Sequence, residues 1–579
     1  MKKKILLIIV VALLSATSAF AQGGTTGPLT WQLTGTAPNL TLTISGNDTM
    51  PDYTYSNLPW REYQSDITTV IIEDGVTSVG NRAFYYFNTL TSITLPNTIT
   101  RIGNFAFYAS GIWSVNFGDK LINIGDNAFS GCYSLTSITI PSSVTSIGAS
   151  AFSACGMLTS INVESENINY FSEDGVLFNK NRTLLHCYPA GKSGNNYTIP
   201  NSVIIIGNGA FNGCALNSII IPNGVTTIEY GAFYGCGITS ITIPSSVTSI
   251  EDYFGLCGML TSINVESENM NYSSEDGVLF NKNKTHLIRY PEGKSGNSYV
   301  IPNSVIEIGN WAFWQCKNLI SIAISNNTTA IGQSSFYWTG ITSITLPSSI
   351  TSIGNSAFSN SYALTSITNL NPIPVEFHPS SWVFGGVDTN VCSLTVPTSA
   401  VLAYQNAEIW NKFNIVGGGI LVYPKASNPE YGYVTGNELY EGRATATVAA
   451  TAFEGYKFKN WTKNGEVVST NNPYSFTVTE DIELVANFEE EVGIEKFKLS
   501  TLKIYPNPTI GELRITSKET ELAFSLQDIV IFDKLGRNVG RNLRIAQDET
   551  GAILTDISHL PSGIYFLRIK NEIAKIVKL

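Results

Sequence analysis

Between residues 67 and 416 the apolar positions recur in a fixed frame and not at a helical period. A phenylalanine, usually preceded by alanine, returns at Phe84, Phe107, Phe129, Phe152, Phe211, Phe233, Phe254, Phe313, Phe336 and Phe358. Most intervals are 21 to 23 residues; two are 59, one period plus an insertion of 36. One full unit reads LTSITIPSSVTSIGASAFSACGM from Leu135. Its first apolar positions, Leu135, Ile138 and Ile140, alternate as a half-buried strand does. The same frame fits Leu90/Ile93/Leu95, Leu158/Ile161/Val163, Ile238/Ile241/Ile243 and Ile341/Ile344/Leu346. A proline or polar turn follows, then a compact return through Val144, Ile147, Gly148 and Ala151-Phe152. One such unit cannot bury its apolar side alone, so the units must stack into a continuous core. At a strand spacing of ~4.8 Å, roughly a dozen coils would make an elongated, curved body about 60 Å long.

The two insertions are near-copies, INVESENINYFSEDGVLFNKNRTLLHCYPAGKSGNNYTIP from Ile161 and INVESENMNYSSEDGVLFNKNKTHLIRYPEGKSGNSYVIP from Ile263. Val176-Leu177-Phe178 and Leu184-Leu185 flank Asn179-Lys180-Asn181-Arg182, a hairpin pattern. Each insertion, near 164–198 and 266–300, is therefore expected to project from the stack as a β-hairpin.

The repeated unit, L-x-x-I-x-I-P-x-x-V-x-x-I-G-x-x-A-F-x-x-C, resembles the BspA-like, Treponema-type leucine-rich repeat. The resemblance covers about residues 67–416. Residues 22–66 resemble that family's N-terminal cap, which would cover the core of the first coil. The segment from Leu394-Thr395-Val396-Pro397 to Ile415-Val416-Gly417 resembles its C-terminal cap. The resemblance implies surface binding and adhesion.

The repeat stops near residue 417. Residues 417–490, with Phe453-Glu454-Gly455-Tyr456-Lys457-Phe458-Lys459-Asn460-Trp461 and Ile482 to Phe488, resemble a Listeria–Bacteroides, internalin B-repeat-like β module, which implies a spacer or auxiliary binding unit. Residues 491–502 read as a linker. From Lys503 four blocks follow in order. Tyr505, Pro506, Asn507 and Pro508 with Gly511 come first, then Asp533 with Gly536 and Arg537, then Pro561, Gly563 and Tyr565, and last Lys575-Ile576-Val577-Lys578-Leu579. Short alternating strands between Pro, Gly and Asn turns predict a small β-sandwich. The blocks resemble the type IX secretion C-terminal sorting domain of Bacteroidota, at 503–579. That resemblance implies export across the outer membrane and removal of the domain by a sortase-like peptidase. The protein would then be released, or joined to lipopolysaccharide at the cell surface. The fold class expected overall is mainly β: a leucine-rich-repeat solenoid with two hairpin insertions, a small β-rich repeat module and a C-terminal β-sandwich.

Residues 1–21 agree with an exported protein. Three lysines precede an apolar run, and Ala19-Phe20-Ala21 is a small-x-small cleavage site, the pattern of a secretory signal peptide. No later stretch reaches the ~20 apolar residues of a membrane span, so no transmembrane segment is expected in the mature chain. Loss of Lys2, Lys3 and Lys4 takes the formal charge from −11 to three units lower. An acidic chain is poorly suited to nucleic acid, whose phosphates attract Lys and Arg. Only 14% of residues are charged, against about 25% on average. Ser, Thr, Asn and Gly supply the polarity and suit turns and strands.

Few residues offer reaction chemistry. Histidine occurs at His186, His286, His378 and His559, with no nucleophile elbow and no H-E-x-x-H. Glu173-Asp174 and Glu275-Asp276 are acidic pairs in the insertions; a turn opening each hairpin is the simpler reading, with a weak Ca²⁺ site or a glycosidase pair as the alternatives. Six of the eight cysteines fall three residues after a core Phe: Cys132, Cys155, Cys214, Cys236, Cys257 and Cys316. They read as small, reduced packing residues, with a disulfide ladder between neighbouring coils as the alternative. No Cys/His cluster has metal-ligand spacing, and no cofactor is expected. The second exposed strand slot is Ser or Thr in eleven coils, from Thr69 through Ser366, a hydroxyl ladder that suits a tightly pleated strand.

Departures from the repeat are the candidate ligand-binding residues, because stacking does not require them. Trp113 takes an exposed strand slot that is otherwise mostly Thr. Trp311, Trp314, Tyr337 and Trp338 gather near the Phe turn of adjacent coils. Exposed aromatics mark partner or glycan surfaces, or they cover the join beside the second insertion. The expected function is that of a non-catalytic, adhesin-like binding protein at the cell surface or outside the cell. Its partners would be host or neighbouring-cell macromolecules, protein or glycan, together with the type IX machinery and its peptidase. The alternatives are a structural spacer of the surface layer and, less favoured, a glycan-processing enzyme.

Overall fold

The computed structural model describes residues 22–251 and 254–490, and the following C-terminal pieces: 502–505, 512–517, 529–533, 539, 544–547, 553–557, 560–561, 563–569 and 572–578. The chain divides into two compact units. The larger holds the repeat region and most of the module that follows it.

Most coils contribute two strands. The L-x-x-I-x-I frame forms a front ladder, as in Ser137–Ile140 paired in parallel with Ser160–Val163. The return segment, expected only as compact chain, forms a second, back ladder of two-residue strands. There Ser78–Val79, Arg101–Ile102, Asn123–Ile124 and Ser146–Ile147 run parallel in register. Inward Ile and Val side chains from both ladders are buried, Ile138 and Ile147 among them.

The Phe residues form an aromatic column between the ladders. Phe84, Phe107, Phe129 and Phe152 stack at 5.2, 5.1 and 5.7 Å. The sequence frame missed three further members. Tyr188 and Tyr290, from the insertions, stack on Phe211 and Phe313 at 5.5 and 5.4 Å, and Phe384 follows Phe358 at 5.4 Å. Trp60 stacks on Phe84 at the N-terminal end, and Trp410 packs on Phe384 at the other. Both Trp residues are fully buried, and their indole N–H groups donate to Ala83 O and Val375 O. Each end of the column is thus covered by a large apolar ring whose polar atom is satisfied.

The insertions do not project as hairpins. The hairpin turn is present, with Val176–Asn179 antiparallel to Leu184–Cys187. A further strand, Tyr170–Glu173, completes a three-stranded meander. Its last strand then joins the back ladder, Leu184 beside Ile205 and Leu185 beside Ile206. Val176, Leu177 and Phe178 are all fully buried, because the strand is covered on both faces. Leu177 points into the core before the insertion, and Val176 and Phe178 into the core after it. Leu279, against Val278 and Phe280, repeats the arrangement in the second insertion. Each insertion is an internal septum, and the solenoid core falls into three clusters around the two septa.

The acidic pairs lie in the first turn of each meander. Asp174 and Gly175 both have positive φ, 50° and 75°, as a two-residue hairpin turn of the primed type requires. Gly175 lies against strand Ser160–Val163: its carbonyl accepts from Ile161 N at 2.9 Å, and a Cβ on it would meet Ser160 at 2.9 Å. The carboxylates pair with cations, Asp174 with Lys192 at 2.9 Å and Glu275 with Lys284 at 2.7 Å. They close the edge of the front ladder.

The threonines one position before the hydroxyl ladder, and the cysteine column, serve the backbone. Thr91, Thr159 and Thr261 donate from Oγ1 to carbonyls of the preceding coil at 3.2, 3.1 and 2.9 Å. All eight cysteines are free and buried. The thiols of Cys132, Cys155 and Cys257 donate to the carbonyl of the preceding coil's Phe at 3.1, 3.1 and 3.0 Å. Ser361 makes the same contact to Phe336 O at 2.7 Å. The fully buried slot thus suits a small donor, although the first coil fills it with Phe87. Burial pushes the thiols of Cys187 and Cys316 up to about 12, so they are protonated and unreactive at neutral pH. Thiol titration of the native protein should read almost none of the eight, and after denaturation without reductant all eight. Recovery of two or fewer would establish disulfides instead.

Residues beyond the last front strand, Asn414–Gly417, form two sheets around Trp461, Val422, Val448 and Leu484. This module packs back on the later coils: Asn327 Nδ2 donates to Gly432 O at 3.1 Å, and Asn437 Nδ2 to Ser348 Oγ at 3.0 Å. In the C-terminal unit the described strands make two antiparallel sheets, one led by Leu502–Tyr505 and one by Ile529–Asp533. No described helix is long and apolar enough to cross a membrane.

Candidate ligand-binding surface

The turn around each core Phe sets the geometry of one face of the solenoid. The residue before the Ala, the Phe itself and the residue two after it each donate a backbone N–H to the next coil. In one coil these are Asn127 to Ala149 O, Phe129 to Ala151 O and Gly131 to Ser153 O, at 2.9, 2.8 and 2.9 Å. The flanking positions must turn left-handed to do so. Gly209, Gly213, Asn127 and Ser150 fill them with φ between 52° and 76°. Such positions favour Gly and Asn, and a bulky residue there is strained by about 1–2 kcal/mol.

Trp311 and Trp338 stand at these positions, with φ of 54° and 56°. Neither belongs to the buried core, and Trp338 is 40% exposed. Trp314 and Tyr337 each follow a core Phe and stack on one another at 6.4 Å. Lys317 Nζ lies 4.2 Å from the Trp338 ring centroid. Asn360 Nδ2 donates to the Tyr337 hydroxyl at 2.6 Å. Four of the five expected residues therefore share one face. The row extends to a residue that the repeat frame did not single out, Tyr234, whose ring is 6.3 Å from that of Trp314. Reading the sequence by repeat column would have found it, since Tyr234, Trp314 and Tyr337 all occupy the position after the Phe.

A buried charge holds this patch. Arg289 is fully buried; Nη1 donates to Trp311 O at 2.5 Å and Nη2 to Trp314 O and Phe254 O, each at 3.3 Å. Its nearest carboxylate, Glu292, lies 3.8 Å away. Burial pushes the Glu292 carboxyl up, against the pull of Arg289 and Lys317. The first insertion has Cys187 and Ala190 at the equivalent places. The charged pair thus belongs to the second septum alone, where it ties down the backbone of two of the aromatics.

Trp113 is apart from this group. It is 58% exposed as expected, but the front segment of its coil forms no strand, and the residue lies in a bend where the front ladder is interrupted. Trp113 has no hydroxyl to donate to the preceding coil as Thr91 and Thr159 do. Its carbonyl still accepts from Thr136 N, at 3.3 Å.

Among the described residues no group of His, Cys, Asp and Glu could hold a metal. His186 packs on Tyr170 at 5.3 Å, and burial pushes it down to about 4, so it is neutral. His286 lies 3.2 Å from Glu307, and His378 bonds Ser380 at 2.7 Å. His559 lies outside the described residues.

Of the sorting blocks, Pro506, Asn507, Pro508, Gly511, Gly536 and Arg537 lie outside the described residues. Tyr505 and Asp533 end the strands Leu502–Tyr505 and Ile529–Asp533. Gly563 opens strand Gly563–Ile569, and the buried Tyr565 donates its hydroxyl to Pro561 O at 2.7 Å, closing the turn before that strand.

The comparisons with known proteins agree with this architecture. The BspA type leucine rich repeat region matches in six copies over residues 62–183, 186–293 and 292–375, more than half of the chain. The divergent InlB B-repeat domain matches residues 424–492, and the secretion system C-terminal sorting domain matches 503–579. A leucine-rich repeat protein from Eubacterium ventriosum is 30% identical, over 57% of this chain and 92% of its own, with a TM-score of 0.43. A leucine rich cell surface protein from Faecalibacterium prausnitzii is 22% identical, over 68% and 94%, at 0.33. The pneumococcal vaccine antigen PcpA is 18% identical, over 69% and 99%, also at 0.33. No curated protein matches the chain significantly. Repeat and tail regions of these kinds are typical of non-catalytic proteins, and the sorting domain implies export to the cell surface or the extracellular space. The chain belongs to the BspA-type leucine-rich repeat proteins and ends in a type IX secretion sorting domain.

Proposed function

We propose that the protein is a non-catalytic, adhesin-like binding protein that holds host or neighbouring-cell macromolecules on the solenoid. The observation that carries this reading is the row Tyr234, Trp314 and Tyr337, with Trp338 beside Lys317. Two of the patch's tryptophans keep a left-handed backbone that Gly, Asn or Ser would take more easily. The coil geometry sets that backbone at every turn, as at Arg82 and Gln315, but stacking does not require an aromatic side chain on it. The type IX machinery and its sortase-like peptidase would be the partners in export, before release or attachment to lipopolysaccharide. A spacer role in the surface layer gains support from the front face alone, where threonine hydroxyls are engaged by the backbone of the preceding coil.

The test is a ligand found on an array of glycans and matrix proteins, followed by single substitutions. Trp314→Ala and Trp338→Ala should each weaken binding about 30-fold, the equivalent of ~2 kcal/mol at an interface hot spot. Trp113→Ala tests the front face in the same assay. Parent-like Kd values for all the folded variants, Trp311→Ala included, would remove the aromatic patch from consideration.

A further inference from the structure

The aromatic row on the turn face has a gap. Tyr85 stacks on Tyr108 at 5.2 Å toward the N-terminus, and Tyr234 begins the row described above. Between them the position after the Phe falls to Ser130, Ser153 and Asn212. Beside Asn212, along the position two before each Phe, opens a cleft of about 410 Å³, within the range of about 300–1,000 Å³ that holds small ligands. Phe105 forms one wall, and Tyr230 and Tyr234 the other. The floor between them is lined by Asp126, Asn127, Ser150, Asn208 and Asn212, residues with carboxylate, hydroxyl and amide side chains.

Three further features distinguish the cleft from an accident of packing. First, the floor groups are held in place. Asp126 Oδ1 accepts from Ala149 N at 2.8 Å, Ser150 Oγ donates to Asn208 Oδ1 at 2.7 Å, and Asn208 N donates to Glu229 Oε2 at 2.9 Å. Second, Phe105 occupies the left-handed position, φ 56°, that Asn127 and Ser150 fill in the next two coils. It lies outside the buried core; its ring contacts are Tyr108 at 5.7 Å, Tyr85 at 6.3 Å and the Arg82 guanidinium at 5.1 Å. Third, the lining contains one carboxylate and no lysine or arginine.

We propose that this cleft binds a neutral carbohydrate, one or two pyranose rings of a larger glycan. The inference rests on the binding reading above and names a ligand class and a site for it. A pyranose presents an apolar C–H face, which a Phe or Tyr ring covers. Its edge presents paired hydroxyls, each both donor and acceptor, and amide and carboxylate groups match them two at a time. The Asp126 charge, with no cation to offset it in the lining, disfavours sulfated and uronate-rich chains.

Mature protein should be titrated calorimetrically with maltotetraose, cellotetraose, chitotetraose and mannotetraose, with a heparin tetrasaccharide as the anionic control. At least one neutral oligomer should bind, and the heparin oligomer should not. Phe105→Asn and Tyr230→Ala, from opposite walls, should each weaken that binding at least tenfold. Thermal unfolding should separate this from misfolding, because Asn accepts the left-handed backbone and Phe105→Asn should melt no lower than the parent. If no neutral oligomer binds while the protein still captures a protein ligand from the array, the carbohydrate assignment fails and the general binding reading stands. If a neutral oligomer binds and both variants bind it like the parent, the cleft is not the site. A lowered melting temperature for Phe105→Asn would show that Phe105 is a packing residue, and would overturn the argument from strain.

Discussion

Phe152→Ala will destabilise the solenoid by about 3–5 kcal/mol, the range for truncating a buried aromatic. Phe152 is 1% exposed and is the last Phe of the first core block. Its ring stacks on Phe129 at 5.7 Å, and its carbonyl accepts the Cys187 thiol of the first septum at 3.8 Å. Shortening the side chain leaves a cavity between two coils that backbone hydrogen bonds hold in register. In a stacked repeat the damage is felt mainly by nearest neighbours. Hydrogen exchange should therefore quicken in the coils of Phe129 and Phe211 before those of Phe336 and Phe358. A melting curve that matched the parent's would mean that the column is not the core.

The second large effect concerns export. Deleting residues 503–579, the full match to the sorting domain, should leave the protein in the periplasm. Cell fractionation and protease shaving of intact cells will read it as a loss of surface signal. The intact mass of the mature, surface-exposed protein should lack both residues 1–21 and the C-terminal domain. Equal surface exposure of the truncated and full chains would remove the type IX reading.

The solenoid was legible because a repeat states its structure many times over. An inward Ile or Phe that recurs every 21 to 23 residues must be core, and ten registers of Phe leave little freedom. The insertions were legible only locally. Asn179-Lys180-Asn181-Arg182 marked a turn, but where the hairpin lay relative to the stack was not a local property. The run Val176-Leu177-Phe178 carried a hint, since three consecutive apolar residues suit a strand covered on both faces. Tyr188 and Tyr290 escaped notice because a Tyr-Pro step replaces Ala-Phe there. The cysteine slot looked like simple packing because its hydrogen-bond acceptor, the Phe carbonyl of the coil before, lies in the neighbouring repeat. The candidate site was half legible. Trp311, Trp314, Tyr337 and Trp338 stood out as large residues where the repeat needs none. Tyr234 and the Phe105 cleft depended on how coils separated by an insertion come together, as when Ala154 N donates to Asn212 O at 3.2 Å. The repeat frame puts Trp113 in a strand; its own side chain cannot make the threonine contact, and the front segment of its coil forms none.

The most direct test is to incubate the mature protein with an array of glycans and matrix proteins and to analyse every captured ligand by mass afterwards. The expected result is saturable capture of at least one ligand, recovered intact, with capture lost in Trp314→Ala or Trp338→Ala. A blank array, together with cleavage of a polysaccharide or peptide by the same preparation, would contradict the binding-protein reading.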